Sequence, residues 1–242
     1  MKVVILAGGL GTRISEQTQK LPKPMIKIGN KPILIHIIEH YSKYGHKDFF
    51  IALGHKSQVV KNYFKKFKKL DEAFNYKIKN FNVSITLSYT GENTLTGGRI
   101  KRMKKFINKN EDFMFTYGDG VSNVNIKKLV QFYKNSKKLI AVTAVRPPAR
   151  FGEITIKKNR VNTFKEKPQV TTGWINGGFF ISNYNFFKLI KNDKTILEKE
   201  PLEQASKNNQ LYAFKHKGFW KCMDTLRDKE VLEKIYKKNK FN

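Results

Sequence analysis

The chain has 242 residues, with 48 lysines and arginines against 19 aspartates and glutamates, which gives a net charge of +29 at pH 7. Its content of 40% hydrophobic and 13% aromatic residues excludes an intrinsically disordered chain, and its length is enough to bury a sizeable core. The single cysteine, Cys222, excludes a disulfide within the chain.

Up to Pro148, apolar runs of strand length alternate with helical patterns. The predicted strands cover residues 2–7, 48–54, 83–91, 112–120 and 139–148. The predicted helices cover residues 31–45, 56–69, 96–107 and 125–136, the first opened by a proline and closed by a glycine. Strands separated by helices of this length pair in parallel, so this pattern predicts an α/β, Rossmann-like doubly wound sheet that is mixed but mainly parallel.

After Pro148 the pattern changes. Residues 152–168 alternate with a period of two around a Lys-Asn turn, which predicts an inserted antiparallel hairpin that acts as a lid or as a wall of a site. Further strands are predicted at residues 173–182 and 211–216, and further helices at 185–191, 202–207 and 225–238. We predict one domain over residues 1–242, with halves at 1–148 and 149–242.

A glycine-rich loop, Gly8-Gly9-Leu10-Gly11-Thr12-Arg13, follows the first predicted strand. Open α/β sheets bind ligands at the carboxyl ends of their strands, and glycines let backbone N–H groups approach an anion. The loop lacks the Gly-Lys-Ser/Thr of a Walker loop, and Ile14 stands where a dinucleotide loop has glycine. We predict a phosphate site here, with a plain tight turn as the alternative.

Two aspartates lie at the ends of predicted elements. Asp119 follows an apolar strand between two glycines, and Asp224 directly precedes a helix. Near an anion loop, two such carboxylates suit Mg²⁺, which completes its coordination with phosphate oxygens and water. The alternatives are a turn aspartate at 119 and a helix N-cap at 224.

Three other features favour ordinary structural roles. The run His36 to His40 fits the H-x-x-E-H pattern of a zinc peptidase, but histidines at this spacing on an amphipathic helix are more often packing or surface residues. Cys222 lies beside Trp220 and is expected to be buried rather than nucleophilic. Only seven of the 48 basic residues are arginine and the lysines are spread along the chain, which favours a solvated surface over a nucleic-acid site.

Several motifs occur together in one order along nearly the whole chain: LAGGLGTR, PKPM, TGGR, TYGDGV, RFGE, EKP, WINGGFF and GFWKCMDTLRD. With them the chain resembles the sugar-1-phosphate nucleotidylyltransferases, whose fold is the nucleotide-diphospho-sugar transferase type. The TGGRIKR, YGDGV and FWKCMDTLRDK stretches resemble most closely the branch that transfers a cytidylyl group to glucose 1-phosphate. The resemblance therefore implies CTP and α-D-glucose 1-phosphate as substrates, CDP-glucose and pyrophosphate as products, and Mg²⁺ as the cofactor.

The resemblance also implies roles for residues at matching positions. Asp119 and Asp224 would bind the metal, and Arg13, Lys23 and Asp119 would be the catalytic residues. The sugar phosphate would be bound by Glu166, Lys167, Asn176 and Gly177, in the second half of the chain. The nucleotide would be bound in the first half by Leu6, Ala7, Gly8, Gly9, Leu10, Gly11, Thr12, Arg13, Lys23, Thr94, Arg99 and Gly118.

The chemistry implied by the resemblance explains why Arg13 is an arginine. The attacking group is a phosphate monoester, whose second pKa is about 6, so it needs no general base. It needs charge stabilisation and in-line positioning, and a guanidinium fork can grip phosphate through two parallel hydrogen bonds where lysine cannot. Arg13 would then lie beside the β- and γ-phosphates, opposite the metal.

The chain departs from the pattern at Tyr89, where an acidic residue is expected, and the stretch between Phe64 and Val83 is shorter than usual for the cytidylyl branch. The alternatives left open are a uridylyl or thymidylyl transferase, another sugar phosphate, a non-catalytic nucleotide-binding homologue, and a basic nucleic-acid-binding protein. We expect a cytoplasmic protein, because no apolar run of the sequence approaches the roughly 20 residues that a membrane-spanning helix needs. We also expect a homo-oligomer that binds no specific nucleic acid and no membrane.

Overall fold

The computed structural model describes residues 1–9, 21–147, 153–157, 160–165, 173–238 and 241. The strands are β1 Val3–Ala7, β2 Lys27–Ile28, β3 Lys31–Pro32, β4 Asp48–Leu53, β5 Ala73–Ile78, β6 Phe81–Tyr89, β7 Asp112–Tyr117, β8 Gly120–Ser122, β9 Ile140–Val145, β10 Glu153–Lys157, β11 Arg160–Lys165, β12 Ile175–Asn183, β13 Leu211–His216 and β14 Trp220–Cys222. The α-helices are α1 Ile33–Ser42, α2 Ser57–Tyr63, α3 Thr96–Arg102, α4 Ile126–Ser136, α5 Glu200–Lys207 and α6 Leu226–Lys237. Short 3₁₀ helices cover Lys23–Met25, Met103–Phe106 and Tyr184–Leu189.

One eight-stranded sheet organises the molecule, with the order β13-β9-β12-β7-β1-β4-β6-β5. β1 pairs in parallel with β4 and β7, β4 with β6, and β9 with β13, whereas β12 and β5 run antiparallel to their neighbours. The predicted α/β doubly wound, mainly parallel sheet is confirmed. Strands from both predicted halves of the chain lie in this sheet, with β12 between β7 and β9.

The central strands are buried because helices cover both faces of the sheet. Every residue of β1 is buried, as expected for a parallel strand that is apolar throughout. Two apolar clusters flank the sheet: one gathers α1, α4 and α6, and the other is rich in phenylalanine, with Phe115 stacked on Phe180 at 4.6 Å between ring centroids. The sheet therefore forms a rigid platform for the loops that follow its strands.

The predicted helix over residues 56–69 is wrong in its length. Helix α2 ends at Tyr63, because Phe64 leaves the helical conformation and is almost fully buried. Its ring packs against Tyr76 at 5.0 Å between centroids, on the edge strand β5. The sequence analysis did not predict β5, so it kept Phe64 in the helix.

The antiparallel hairpin predicted after Pro148 is confirmed for the part that the structure describes, with β10 paired to β11 from Glu153–Lys165 to Lys157–Arg160. Its Lys-Asn turn at residues 158–159 lies outside the described residues. None of the described helices has the length and apolar character needed to cross a membrane.

The two histidines of the H-x-x-E-H pattern are packed inside the molecule. His36 and His40 are 7% and 9% exposed, and His36 Nε2 donates a hydrogen bond to the Ile28 carbonyl at 2.9 Å. Burial lowers the pKa of both imidazoles, that of His40 to about 4. These residues therefore serve as neutral packing groups, which is the structural role that the sequence analysis favoured.

Candidate active site

An open cavity of about 430 Å³ lies at the carboxyl ends of β1 and β7. Parallel strands bring their following loops to the same edge of a sheet, so the two loops with predicted functional residues meet here. The residues that line the cavity include Leu6, Gly8, Gly9, Lys23, Thr94, Thr96, Arg99, Tyr117, Gly118 and Asp119. Most of the predicted nucleotide-binding residues are thus brought together.

Two glycines bring the backbone of these loops close to other groups. A Cβ atom added to Gly8 would lie 2.3 Å from Nη1 of Arg99, and one added to Gly118 would lie 2.6 Å from the Leu6 carbonyl oxygen. Both distances are far shorter than a side chain allows. The predicted phosphate-binding residues Leu10, Gly11, Thr12 and Arg13 lie outside the described residues, so their roles stay predictions.

We call Gly8 and Gly9, the described start of the glycine-rich loop, the glycine turn. Arg99 is buried against it, with 4% of its surface exposed. Its two terminal nitrogens donate to five acceptors at 2.7–3.2 Å, the carbonyl oxygens of Gly8, Leu53, Gly91 and Glu92 and the Thr90 hydroxyl, with one N–H of Nη1 shared between two of them. These bonds join the loops that follow β1, β4 and β6. Arg99 therefore holds the wall of the cavity together.

The charge of Arg99 is balanced by dipoles. Burial lowers the pKa of its guanidinium from the ordinary 12.5, but arginine stays protonated in proteins. Each of the five acceptors is a carbonyl or a hydroxyl oxygen. Arg99 lies beside the cavity, where the resemblance places it, and its hydrogen-bonding capacity is used within the protein.

The metal-binding prediction pairs two aspartates that are 105 positions apart in the chain, and the structure brings them together. The short strands β8 and β14 pair in antiparallel fashion with Cys222 opposite Gly120. Asp119 precedes β8 and Asp224 follows β14, so this register puts both at one end of the ladder. The Met223 N–H donates to the Asp119 carbonyl at 2.9 Å and extends the pairing to the site.

Lys23 lies between the two carboxylates. Its Nζ is 2.6 Å from Oδ1 of Asp224 and 3.6 Å from Oδ2 of Asp119, and its side chain is only 13% exposed. Desolvation raises the pKa of Asp119, and Asp224 raises it further, whereas the Lys23 ammonium opposes both effects. The three side chains form an ion-paired cluster at the rim of the cavity.

The alternative role of Asp224 as a helix N-cap is wrong. Thr225 caps α6, and the Asp228 side chain accepts from the Thr225 backbone N–H to complete a capping box. The Asp224 N–H donates to the same Asp228 carboxylate at 3.1 Å. The Asp224 side chain is therefore available to the Lys23 cluster.

The donor set of this cluster fits Mg²⁺. Within the described ranges, no group of three or more His, Cys, Asp or Glu side chains forms a metal cage. Mg²⁺ does not need one, because it binds through one or two carboxylates and takes the rest of its octahedron from water and phosphate. A cation, the Lys23 ammonium, already lies between Asp119 and Asp224, which shows that both carboxylates face one point.

The glycines of the TGGR motif allow a neighbouring segment to dock. A Cβ atom on Gly97 would lie 2.8 Å from the Thr195 carbonyl oxygen, and one on Gly98 would lie 2.5 Å from Cα of Asp193. Residues 193–198, which we call the docking segment, thus pack directly on the start of α3. Thr94 is 7% exposed and lines the cavity just before this helix.

Two of the residues predicted to bind the sugar phosphate, Asn176 and Gly177, lie on β12, which pairs with β7. The Asn176 amide donates to the Tyr117 hydroxyl at 3.2 Å, and its oxygen accepts from the Gly178 N–H at 2.8 Å. Trp220 on β14 donates to the Gly177 carbonyl at 2.7 Å. Glu166 and Lys167 lie outside the described residues.

Sequence reasoning missed two residues of this region. Tyr117 lines the cavity at the end of β7, directly before the predicted Gly118, so its position in TYGDG was a usable signal. Glu198 binds both Tyr117 and Thr96 through its carboxylate. No motif marks Glu198, because its proximity to the cavity depends on the docking segment.

Cys222 is half-buried, with Sγ 3.6 Å from Oδ2 of Asp224. Burial raises the pKa of this thiol to about 12, with further contributions from Asp224 and Asp119. A protonated thiol is a poor nucleophile, which agrees with the structural role expected for Cys222.

Comparisons with known proteins show that the chain is similar to nucleotidyl transferases over nearly its whole length. The family model described as "Nucleotidyl transferase" matches residues 2–228. The chain is 45% identical to the glucose-1-phosphate cytidylyltransferase of Salmonella typhimurium over 99% of its own length and 97% of the relative. It is 36% identical to the probable glucose-1-phosphate cytidylyltransferase of Bacillus subtilis, over 98% and 96% of the two chains. A crystal structure of UDP-glucose pyrophosphorylase with UDP-glucose has a similar fold, with a TM-score of 0.73, 18% identity and 98% of each chain covered.

Proposed function

The chain belongs to the nucleotidyl transferase family, and on this premise we propose that it transfers a cytidylyl group from CTP to α-D-glucose 1-phosphate. The products are CDP-glucose and pyrophosphate. The observation that carries the proposal is the meeting of Asp119, Asp224 and Lys23 at the rim of the cavity below the glycine turn. The names of the two cytidylyltransferase relatives support the choice of base and sugar.

The reaction exchanges one phosphoanhydride bond for another. An oxygen of the sugar phosphate forms a bond to the α-phosphorus of CTP, and the bond from that phosphorus to the oxygen bridging the β-phosphorus breaks. The electron pair of the broken bond leaves with pyrophosphate. Because the attacking phosphate is largely ionised at neutral pH, no side chain has to remove a proton.

The work of the protein is to bring two anions together and to stabilise the leaving charge. Lys23 lies at the cavity rim and supplies an ammonium to the phosphates, and Arg13 adds a guanidinium fork in the same proposal. Gly8 and Gly118 keep the backbone close, since a side chain at either position would collide with its neighbours. Asn176 and Gly177 orient the sugar phosphate from β12.

Asp119 and Asp224 would hold Mg²⁺. When bound, the ion neutralises phosphate charge and favours departure of pyrophosphate. With both carboxylates engaged in this way, the Lys23 ammonium would be available to bind phosphate oxygens of the substrates.

A pyrophosphate-release matrix tests the proposal. CTP, UTP, dTTP and GTP are each combined with glucose, galactose and mannose 1-phosphates, with Mg²⁺ and with EDTA. We expect CTP with glucose 1-phosphate to exceed every other pair by at least about tenfold in kcat/KM, a ratio that a few hydrogen bonds can supply. We expect EDTA to abolish turnover.

Matched variants connect the activity to the cluster. Asp119→Asn and Asp224→Asn should each lower turnover by about 100-fold or more, the range for losing a group that stabilises transition-state charge. Asp48→Asn, on the exposed end of β4, is the control and should leave turnover unchanged. Equal rates with CTP and UTP would contradict the base assignment, and full activity in both cluster variants would contradict the site.

A further inference from the structure

The docking segment is fixed to helix α3 by several independent contacts. The Gly97 N–H donates to the Thr195 carbonyl at 3.0 Å, and Arg102 forms a two-point ion pair with Asp193 at 2.5 and 2.9 Å. Leu197 is fully buried in the phenylalanine-rich cluster. The next residue, Glu198, is therefore held in place although it is exposed.

Both oxygens of the Glu198 carboxylate accept hydrogen bonds from residues that line the cavity. The Thr96 hydroxyl donates to Oε2 at 2.8 Å, and the Tyr117 hydroxyl donates to Oε1 at 2.5 Å. Thr96 also accepts from the Leu197 N–H at 2.9 Å. Each hydroxyl has one proton and gives it to Glu198, so the direction of both bonds is determined.

The hydrogen bonds continue to the sugar-side strand. Because the Tyr117 proton is given to Glu198, the Tyr117 oxygen is an acceptor, and it receives the Asn176 amide at 3.2 Å. A continuous chain, Asn176–Tyr117–Glu198–Thr96, thus runs beside the cavity, which Tyr117 and Thr96 line directly.

Glu198 retains unused acceptor capacity. An ionised carboxylate offers about four lone-pair sites, and two are used by Thr96 and Tyr117. A negative group repels a triphosphate but attracts hydroxyl donors. The ligand group that suits this wall is therefore an uncharged polyol rather than a phosphate.

We propose that Glu198 is a specificity-determining residue that accepts a hydrogen bond from a ring hydroxyl of the sugar phosphate, and that Tyr117 is its positioning residue. This inference rests on the proposed function for the identity of the reaction. The link through Tyr117 to Asn176 favours the hexose over the ribose of the nucleotide, because Asn176 lies on β12, at a distance in the sheet from β1 and the glycine turn.

The test compares Glu198→Ala, Glu198→Gln and Tyr117→Phe with the wild type. The control is Glu203→Ala, an exposed glutamate on α5, five residues further along the chain. Steady-state kinetics are measured with CTP and with glucose 1-phosphate, its C2 and C4 epimers and the matching deoxy sugar phosphates. Thermal melting of each variant monitors folding.

We expect Glu198→Ala to raise the KM for glucose 1-phosphate by about tenfold, as for loss of a hydrogen bond to a charged group, with the KM for CTP within about twofold. The preference for glucose 1-phosphate over one of its epimers or deoxy analogues, measured as a ratio of kcat/KM values, should fall by the same factor. Glu198→Gln should recover part of the loss, because an amide oxygen still accepts the Tyr117 proton. Tyr117→Phe should show the same pattern at about threefold, and Glu203→Ala no change.

Three results would overturn the inference. The first is an equal loss of activity with every sugar phosphate, and the second is a rise in the KM for CTP alone. The third is unchanged discrimination between the sugar phosphates in both Glu198 variants. If Glu198→Ala does not fold, Glu198→Gln and Tyr117→Phe decide between these outcomes. If the wild type makes CDP-glucose and the variants discriminate between the sugars as it does, only the role of Glu198 is refuted. If the wild type is inactive with every pair of nucleotide and sugar phosphate, the proposed function is refuted as well.

Discussion

Two walls of the cavity each contain a cation with little access to water, and they hold it in different ways. On the glycine-turn wall, Arg99 is surrounded by carbonyl and hydroxyl oxygens. On the opposite wall, Lys23 lies between two carboxylates. The first cation has partners that belong to the backbone and cannot leave. The second has partners that another cation can take.

This difference separates structure from chemistry within one site. Dipoles hold Arg99 whether or not a ligand is bound, so the glycine turn keeps its shape. Carboxylates bind Lys23 strongly in the absence of a competitor, and a divalent ion with higher charge competes for the same oxygens. We therefore expect substitutions on the first wall to affect folding and substitutions on the second to affect catalysis.

The largest expected effect comes from removing the Arg99 guanidinium. Arg99→Leu removes the donor of the Gly91 carbonyl and the Thr90 hydroxyl, whereas the Leu53 and Gly8 carbonyls keep the N–H groups of Thr90 and His55. Because a buried guanidinium that joins three loops is lost, we expect a loss of about 3–5 kcal/mol in the free energy of unfolding. Urea denaturation measures it. Arg102→Leu, three residues along the same helix, removes an exposed ion pair and should cost no more than about 1 kcal/mol.

If the two arginine variants lose the same stability, the buried hydrogen bonds of Arg99 do not hold the wall. Arg99→Lys refines the comparison, because it keeps a charge and loses the fork. We expect it to fall between wild type and Arg99→Leu, since one ammonium cannot reach acceptors on three loops.

Removing Lys23 should affect catalysis more than folding. We expect Lys23→Met to lower turnover by about 100-fold, because it removes a cation from the phosphates. Without nucleotide, the same variant should bind Mn²⁺ more tightly than the wild type, because the ammonium no longer competes for Asp119 and Asp224. Electron paramagnetic resonance of free Mn²⁺ measures this affinity directly.

Lys27→Met, on the exposed face of β2, is the matched control and should change neither quantity. Equal or weaker Mn²⁺ binding by Lys23→Met would contradict competition between the ammonium and the metal. The two walls would then differ in geometry and not in whether a divalent ion can replace the buried cation.

His40 is a third buried basic group, and it differs from the other two. It is neutral because it loses its proton, so no charge is buried. His40 has a pKa of about 4 in the folded protein against an ordinary 6.5, chiefly because of burial. As the pH falls, the unfolded chain takes up this proton before the folded protein does. The stabilisation is therefore complete above the ordinary pKa of the imidazole and is lost as the pH falls toward its pKa in the folded protein.

We expect His40→Leu to reduce the stability difference between about pH 7 and pH 5 by about 2 kcal/mol. Urea denaturation at the two pH values checks it. A variant as acid-sensitive as the wild type would show that other groups account for the acid sensitivity of the fold.

The alternation of strands and helices was enough to predict seven of the eight strands of the main sheet. Buried parallel strands are apolar throughout, and the helices between them have apolar residues at helical spacing. Asp119 and Asp224 were also singled out, since each follows or precedes a clear element. The structure brings both to Lys23, and metal binding by them stays a prediction. The pairing of β8 with β14 was not predicted, because strands of three residues have no measurable periodicity. The sequence therefore did not explain why Asp119 and Asp224 come together.

The TGGR motif marks the limit of reasoning from motifs. The sequence associated it with the nucleotide, whereas Gly97 and Gly98 make room for the docking segment and Arg99 binds backbone oxygens. Glu198 could not be predicted at all, because it comes to the cavity through contacts about a hundred residues apart in the chain. A motif indicates that a residue is important, and only the tertiary contacts show what the residue does.

The ladder between β8 and β14 also bears on how the molecule is made. A ribosome adds residues from the amino end, and an emerging chain folds as its partners become available. The glycine turn and Asp119 are synthesised long before Trp220–Cys222, the strand that delivers the second carboxylate. A nascent chain can thus acquire most of its sheet while it still lacks the second carboxylate of the cluster, and competence for catalysis arrives as one of the last events of its synthesis.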